Sequence, residues 1–113
     1  MAGAVPCAKF LSDERVKGAY ETETGKQIAE CLAARRLKAL EAPMILVEGH
    51  GPFAWGTSAD KAVYHGKVLE ELARMAWLTL TLNPKQGSLK KSLIDKHFLR
   101  KHGPKAYYGQ KKG

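Results

Sequence analysis

His50 lies between Gly49 and Gly51, with Pro52 next, directly after the apolar run Met44-Ile45-Leu46-Val47. Such a run, bounded by turn formers, reads as a buried strand. The Gly-His-Gly-Pro that follows reads as its end, because two glycines and a proline oppose continuation as strand or helix. The imidazole then sits on a tight turn at the lip of a strand. Its flanking glycines let a ligand, a metal or another segment approach closely. Two chemistries suit this position. A turn histidine can simply hydrogen-bond nearby backbone, or a neutral imidazole can ligate a divalent metal, although one imidazole alone fixes none. Tyr107 and Tyr108 form the other chemically capable group. A phenol with an ordinary pKa of about 10 works as an acid or base at neutral pH only beside a cation that lowers it. Otherwise two adjacent tyrosines anchor a tail by burying their rings.

These groups must be positioned by the elements around them. Thr57-Ser58-Ala59-Asp60 has the spacing of a capping box and predicts a helix start soon after the histidine turn, giving the order strand, turn, helix. In that helix Ala62, Leu69, Leu72, Ala76 and Leu80 share a face that Val68, Ala73 and Trp77 widen, while Glu70 and Arg74 are placed to pair. Asn83-Pro84-Lys85-Gln86-Gly87 ends it. Ser88 or Ser92 then caps a last helix through Leu89, Leu93, His97 and Arg100, stopped by Gly103-Pro104. Upstream, residues 3–8 read as an extended edge piece around Pro6. Ser12 caps a helix whose stripe includes Val16, Tyr20, Ile28, Cys31 and Leu32, with Arg35, Arg36 and Lys38 toward its C-terminal end. Gly18 and Gly25 each weaken it by about 1 kcal/mol relative to Ala, so either something packs closely there or the helix breaks.

The 113 residues are enough for one domain or a piece of one. Hydrophobic residues at 44% and charged residues at 27% suit a water-soluble globular protein, and nothing is repetitive or low in complexity. The longest apolar run, Met75 to Leu82, is too short to span a bilayer, and the N-terminus has no secretory pattern. Cys7 and Cys31 fit two free thiols, and the expected location is cytoplasmic. The net charge of +8 is concentrated after Pro84, where nine lysines and arginines face Asp95 alone. No aromatic platform, zinc finger or basic heptad supports a nucleic-acid partner. A solvated basic face, or a mild field for a phosphorylated substrate, accounts for the charge.

Gly49-His50-Gly51-Pro52-Phe53-Ala54-Trp55-Gly56 is followed by Val68-Leu69-Glu70-Glu71-Leu72-Ala73, then by Asp95-Lys96-His97-Phe98-Leu99-Arg100-Lys101-His102-Gly103 and Ala106-Tyr107-Tyr108-Gly109-Gln110. Together these strings resemble the L-ribulose-5-phosphate 4-epimerases of the class II aldolase/adducin family, in their C-terminal half. The likeness runs from about Gly3 to Gln110. It implies an α/β layered domain with a mainly antiparallel sheet flanked by helices, of which residues 1–113 are an incomplete C-terminal portion and 110–113 a tail extension. It also implies epimerisation of L-ribulose 5-phosphate and D-xylulose 5-phosphate by retro-aldol cleavage and aldol re-addition. The catalyst would be a homotetramer with sites between subunits.

By the same resemblance a catalytic zinc is held by three histidines, and His50 matches the one on the turn. Tyr108 matches a tyrosine that acts as acid or base at a neighbouring subunit's site. Glu21, His97 and Arg100 match positions that line or support the site, although exposed charges and an interior histidine explain them equally well. The other two zinc ligands form a His-x-His pair that this sequence lacks, and His65, His97 and His102 do not replace it by spacing. The phosphate loops, a carboxylate beside the metal and the aspartate that partners the tyrosine belong to the same missing half. The expectation is therefore a fragment that, alone, holds zinc weakly or not at all and does not turn over. A related sugar-phosphate aldolase, or a non-catalytic basic interaction protein, would share these features.

Overall fold

A computed structural model describes residues 4–102. In chain order the elements are β1 (Cys7–Ala8), α1 (Asp13–Lys17), α2 (Tyr20–Ala34), β2 (Met44–Val47), β3 (Gly51–Ala54), α3 (Ala59–Leu82) and α4 (Lys91–His102). The architecture is α/β. The sheet runs β1-β2-β3, with β1 parallel to β2 and β3 antiparallel to it, so within the described residues it is mixed rather than mainly antiparallel. Side chains alternate across a strand. Ile45 and Val47 join Ala8 on one face, where Ile28 and Cys31 of α2 and Phe53 and Trp55 of the hairpin pack against them. On the opposite face Ala54 meets α3 at Gly66, and Leu69 is buried.

Pairing changes the reading of the turn. The turn after β2 leads not to a helix but to a third strand. Its register pairs Val47 with Gly51 and Leu46 with Pro52. Trp55 N donates to Pro43 O at 3.0 Å, which sets the hydrogen-bonded pairs at every second position outward from there. Pro52 falls between them on an edge strand, with its missing N–H on the free side, where a proline costs the ladder nothing. Of the two outcomes open to the helix from Ser12 onward, the structure shows the break, at Gly18. Ser12 caps α1, accepting from Arg15 N at 3.4 Å, and Gly18 ends it. At the far end of α2 the chain turns through Arg36 at φ 54°, with Leu37 N donating to Leu32 O and Arg36 N to Ala33 O. That is a Schellman termination with arginine at the left-handed position. Gly25 stays inside α2 with open space beside it.

The α1–α2 corner is held by Arg15. Its Nε donates to Glu23 at 2.7 Å, and its two terminal nitrogens fork onto Glu30 at 3.2 and 3.3 Å. Lys26 reaches Glu23 from the other side at 3.1 Å. Ser58, not Thr57, caps α3, accepting from Lys61 N at 3.2 Å, so Asp60 makes no capping box. The i,i+4 pair that forms on α3 is Lys67–Glu71 at 3.1 Å rather than Glu70–Arg74. α4 starts at Lys91, with Lys90 O accepting from Leu93 and Ile94, so neither Ser88 nor Ser92 begins it.

The uneven packing gives a direct test. Ile45 is 0% exposed and Leu82 is 87% exposed. Ile45→Ala is expected to cost about 2–5 kcal/mol in urea unfolding, whereas Leu82→Ala should stay within about 0.5 kcal/mol. A second test concerns acid. Hydrogen bonds from Arg15 and then Lys26 hold the Glu23 carboxyl below its ordinary range. A carboxyl depressed on folding stabilises above its unfolded pKa, and that contribution is lost as pH falls through the lower folded value. Denaturant midpoints should therefore begin to drop below about pH 5, and Glu23→Gln should flatten that part of the profile.

Candidate functional site

The turn that carries His50 is fixed from both sides. His50 N donates to Val47 O at 3.0 Å, closing the hairpin, and Glu48 N donates to Ala8 O at 2.9 Å, tying the turn to β1. Gly49 has φ 77° and Gly51 φ 130°, conformations that side chains with a Cβ rarely adopt. Gly49 also lies flat against Phe10, whose ring a Cβ would overlap. The imidazole is exposed, and its ring stands between two others. Phe53 is 4.7 Å away between centroids at a tilt of 38°, and Tyr20, the first residue of α2, is 6.2 Å away at 23°. Beside the ring opens a cleft of ≈ 390 Å³. Phe10, Leu11, Val16 and Val47 give it an apolar floor, and Tyr20, Glu48 and His50 bring polar groups to its rim. The buried Thr24 also faces it, with its hydroxyl donating to Tyr20 O at 2.8 Å. An imidazole on an apolar, partly enclosed cleft can bind a metal or hydrogen-bond a small polar ligand.

The hairpin is oriented by Trp55. Its Nε1 donates to Ala39 O at 2.8 Å, and its carbonyl oxygen accepts from His65 Nδ1 at 2.7 Å. His65 is thus a structural histidine that ties α3 to the end of β3. The remaining site residues anticipated from sequence are more scattered. Glu21 sits in the first turn of α2, exposed and outside the cleft lining, while its neighbour Tyr20 lines it. His97 is exposed on α4 and also outside that lining. Arg100 falls in α4, but its side chain lies outside the described residues, as does the whole of Tyr108. Tyr20 was legible only as part of a helical stripe. The signal that could have promoted it is its place directly before Glu21 in the same string.

A zinc shell needs three or four donors in one place. Among the described residues no group of three or more His, Cys, Asp or Glu is placed to hold a metal. The donors present fit one corner of a shell, His50, and do not close one. Cys7 and Cys31 are free, as expected. Among the described residues no helix is long and apolar enough to cross a membrane.

Residues 2–77 match the model of the Class II Aldolase and Adducin N-terminal domain. The chain is also similar to proteins named L-ribulose-5-phosphate 4-epimerase UlaF from Salmonella paratyphi B, Salmonella paratyphi A and Salmonella typhi. Each is 50% identical over 109 residues, which make up 96% of this chain and 47% of the relative. The chain therefore spans about half the length of these relatives. On the family match and this identity, the chain belongs to the class II aldolase and adducin family.

Proposed function

We propose that this chain forms the C-terminal half of a zinc-dependent L-ribulose-5-phosphate 4-epimerase acting in the cytoplasm. The observation that carries the reading is His50. It is an exposed imidazole on a rigid strand-end turn, facing an open cleft, in a chain 50% identical to proteins bearing that name. The substrate is a phosphorylated pentulose. Its C3–C4 bond breaks as the C4 hydroxyl gives up its proton, leaving an electron pair on the three-carbon fragment and an aldehyde on the fragment that bears the phosphate. Rotation of the aldehyde and re-addition, with return of the proton, inverts C4.

In this reading His50 supplies one ligand, and the other two, with the carboxylates, come from the other half of the epimerase fold. The metal, when bound, supplies positive charge for the oxyanion that develops on cleavage. Phe53 and Tyr20 flank the His50 ring, and Phe10, Leu11, Val16 and Val47 give the cleft beside it an apolar lining. Tyr108 moves the proton at C4 from a neighbouring subunit of a homotetramer. Glu21, His97 and Arg100 support the site from its margin, and the net charge of +8 attracts the phosphate.

A chimera tests the assignment. This chain is substituted for the matched 109 residues of the Salmonella typhi relative, and product is followed with a D-xylulose 5-phosphate-specific coupled assay. Epimerisation with bound zinc is expected. His50→Ala should lower activity by at least about 100-fold and reduce bound zinc. Tyr108→Phe should lower kcat by about 10²–10⁴-fold and leave zinc in place. A folded chimera that releases aldehyde without epimerising would assign the chain to an aldolase instead, and full activity in His50→Ala would remove the histidine from the site. The 113-residue chain alone is expected to hold well under one zinc per chain and to show no turnover. One zinc per chain with turnover would overturn the division of the site.

A further inference from the structure

The two halves of α3 differ in kind. Its first half carries Lys61, Lys67, Glu70, Glu71 and Arg74. It is seated on the sheet by Leu69, 2% exposed, and tied down by His65. From Met75 to Leu82 it reads Met-Ala-Trp-Leu-Thr-Leu-Thr-Leu, without a charge, and every residue is exposed. Met75 is 61%, Trp77 69% and Leu82 87% accessible. At about 100° per residue, Met75, Leu78 and Leu82 fall on one side of the axis and Trp77 and Leu80 on roughly the opposite side, rather than forming one stripe. An uncharged helix segment with large apolar side chains on opposite sides belongs inside a structure. Left in water it would form an exposed apolar surface of the kind that marks an interaction site.

We infer that residues 75–82 of α3 are the docking surface for the other half of the epimerase fold. This rests on the functional reading above. Two observations select that occupant. The relatives share 50% identity over 96% of this chain, so their sequences include this helix, and they carry about as much chain again with which to cover it. The segment also has large apolar side chains to cover on two opposite sides. A second copy meeting it across a two-fold axis would contact one side only, whereas a chain of similar size can wrap it. Docking there would bring the missing metal ligands and α3 into the same body as the hairpin that holds His50.

The test is co-expression of the full 113-residue chain with the unmatched part of the Salmonella typhi relative as a separate polypeptide. A 1:1 complex is expected in light scattering after size exclusion. Trp77 emission, isolated by difference from a Trp77→Tyr variant, should shift to shorter wavelength in the complex. Leu78→Glu with Leu82→Glu should weaken the complex at least about tenfold while leaving the circular dichroism of the chain unchanged, because both positions are exposed. Lys67→Glu, on the charged half, should leave affinity unchanged. Absence of a complex, or a complex indifferent to the paired glutamates, would overturn the inference. So would a stable homodimer with Trp77 already shielded and not displaced. A 1:1 complex alongside an inactive chimera would leave the docking site standing and sink the epimerase assignment instead.

Discussion

The hydrogen bonds of Trp55 are the constraint on which the rest of the structure depends. Its backbone N reaches Pro43 O, its indole reaches Ala39 O, and its carbonyl receives His65. The first sets the register of the β2–β3 hairpin, the second binds that hairpin to the loop leaving α2, and the third joins it to α3. A slip of one residue would send Ile45 and Val47 to the opposite face and empty the core. It would also move His50 off the apex of the turn. The core and the site are therefore fixed by the same residue, whose ring packs against the core while its backbone sets the register.

Much of this was legible because the relevant signals are local. The run Met44–Val47 is buried and extended, as its composition implies, and α3 runs from just after Thr57 to Leu82, ending where Asn83-Pro84 demands. What escaped reading depended on pairing. Gly51-Pro52 looks like the end of a strand because proline removes a donor. On an edge strand, at a position between hydrogen-bonded pairs, that donor is not used, and only the register reveals this. The break at Gly18 was one of two local possibilities, and the Arg15 fork onto Glu23 and Glu30 gives the broken arrangement long-range support that spacing along the chain does not display. In the site, the imidazole was visible from its glycines. Tyr20 was not, because an aromatic residue at helical spacing reads as core until the cleft beside it is seen.

The contrast within α3 shows why burial in this chain is so uneven. Local propensity and one seated face are enough to form the helix, since its N-terminus is capped by Ser58 and its first turns lie on the sheet. Helical hydrogen bonds then propagate through Leu82 whether or not the outer turns are covered, because each added residue gains a bond at small entropic cost once the nucleus exists. The helix is thus formed to its end while its outer turns stay exposed.

On the proposed reading, completing the fold and completing the site are one event. His50 is already ordered: its turn is closed by Val47 and Ala8, and its ring is flanked by Phe53 and Tyr20. Little conformational freedom remains to be lost when that imidazole meets a metal. The unmet demand lies elsewhere, in the ligands still to arrive and in the apolar turns of α3 still to be covered. A segment that carries the remaining ligands and also covers these turns meets both demands at once, so metal affinity and assembly become thermodynamically linked: metal stabilises the assembled state, and assembly raises the affinity for metal by the same factor.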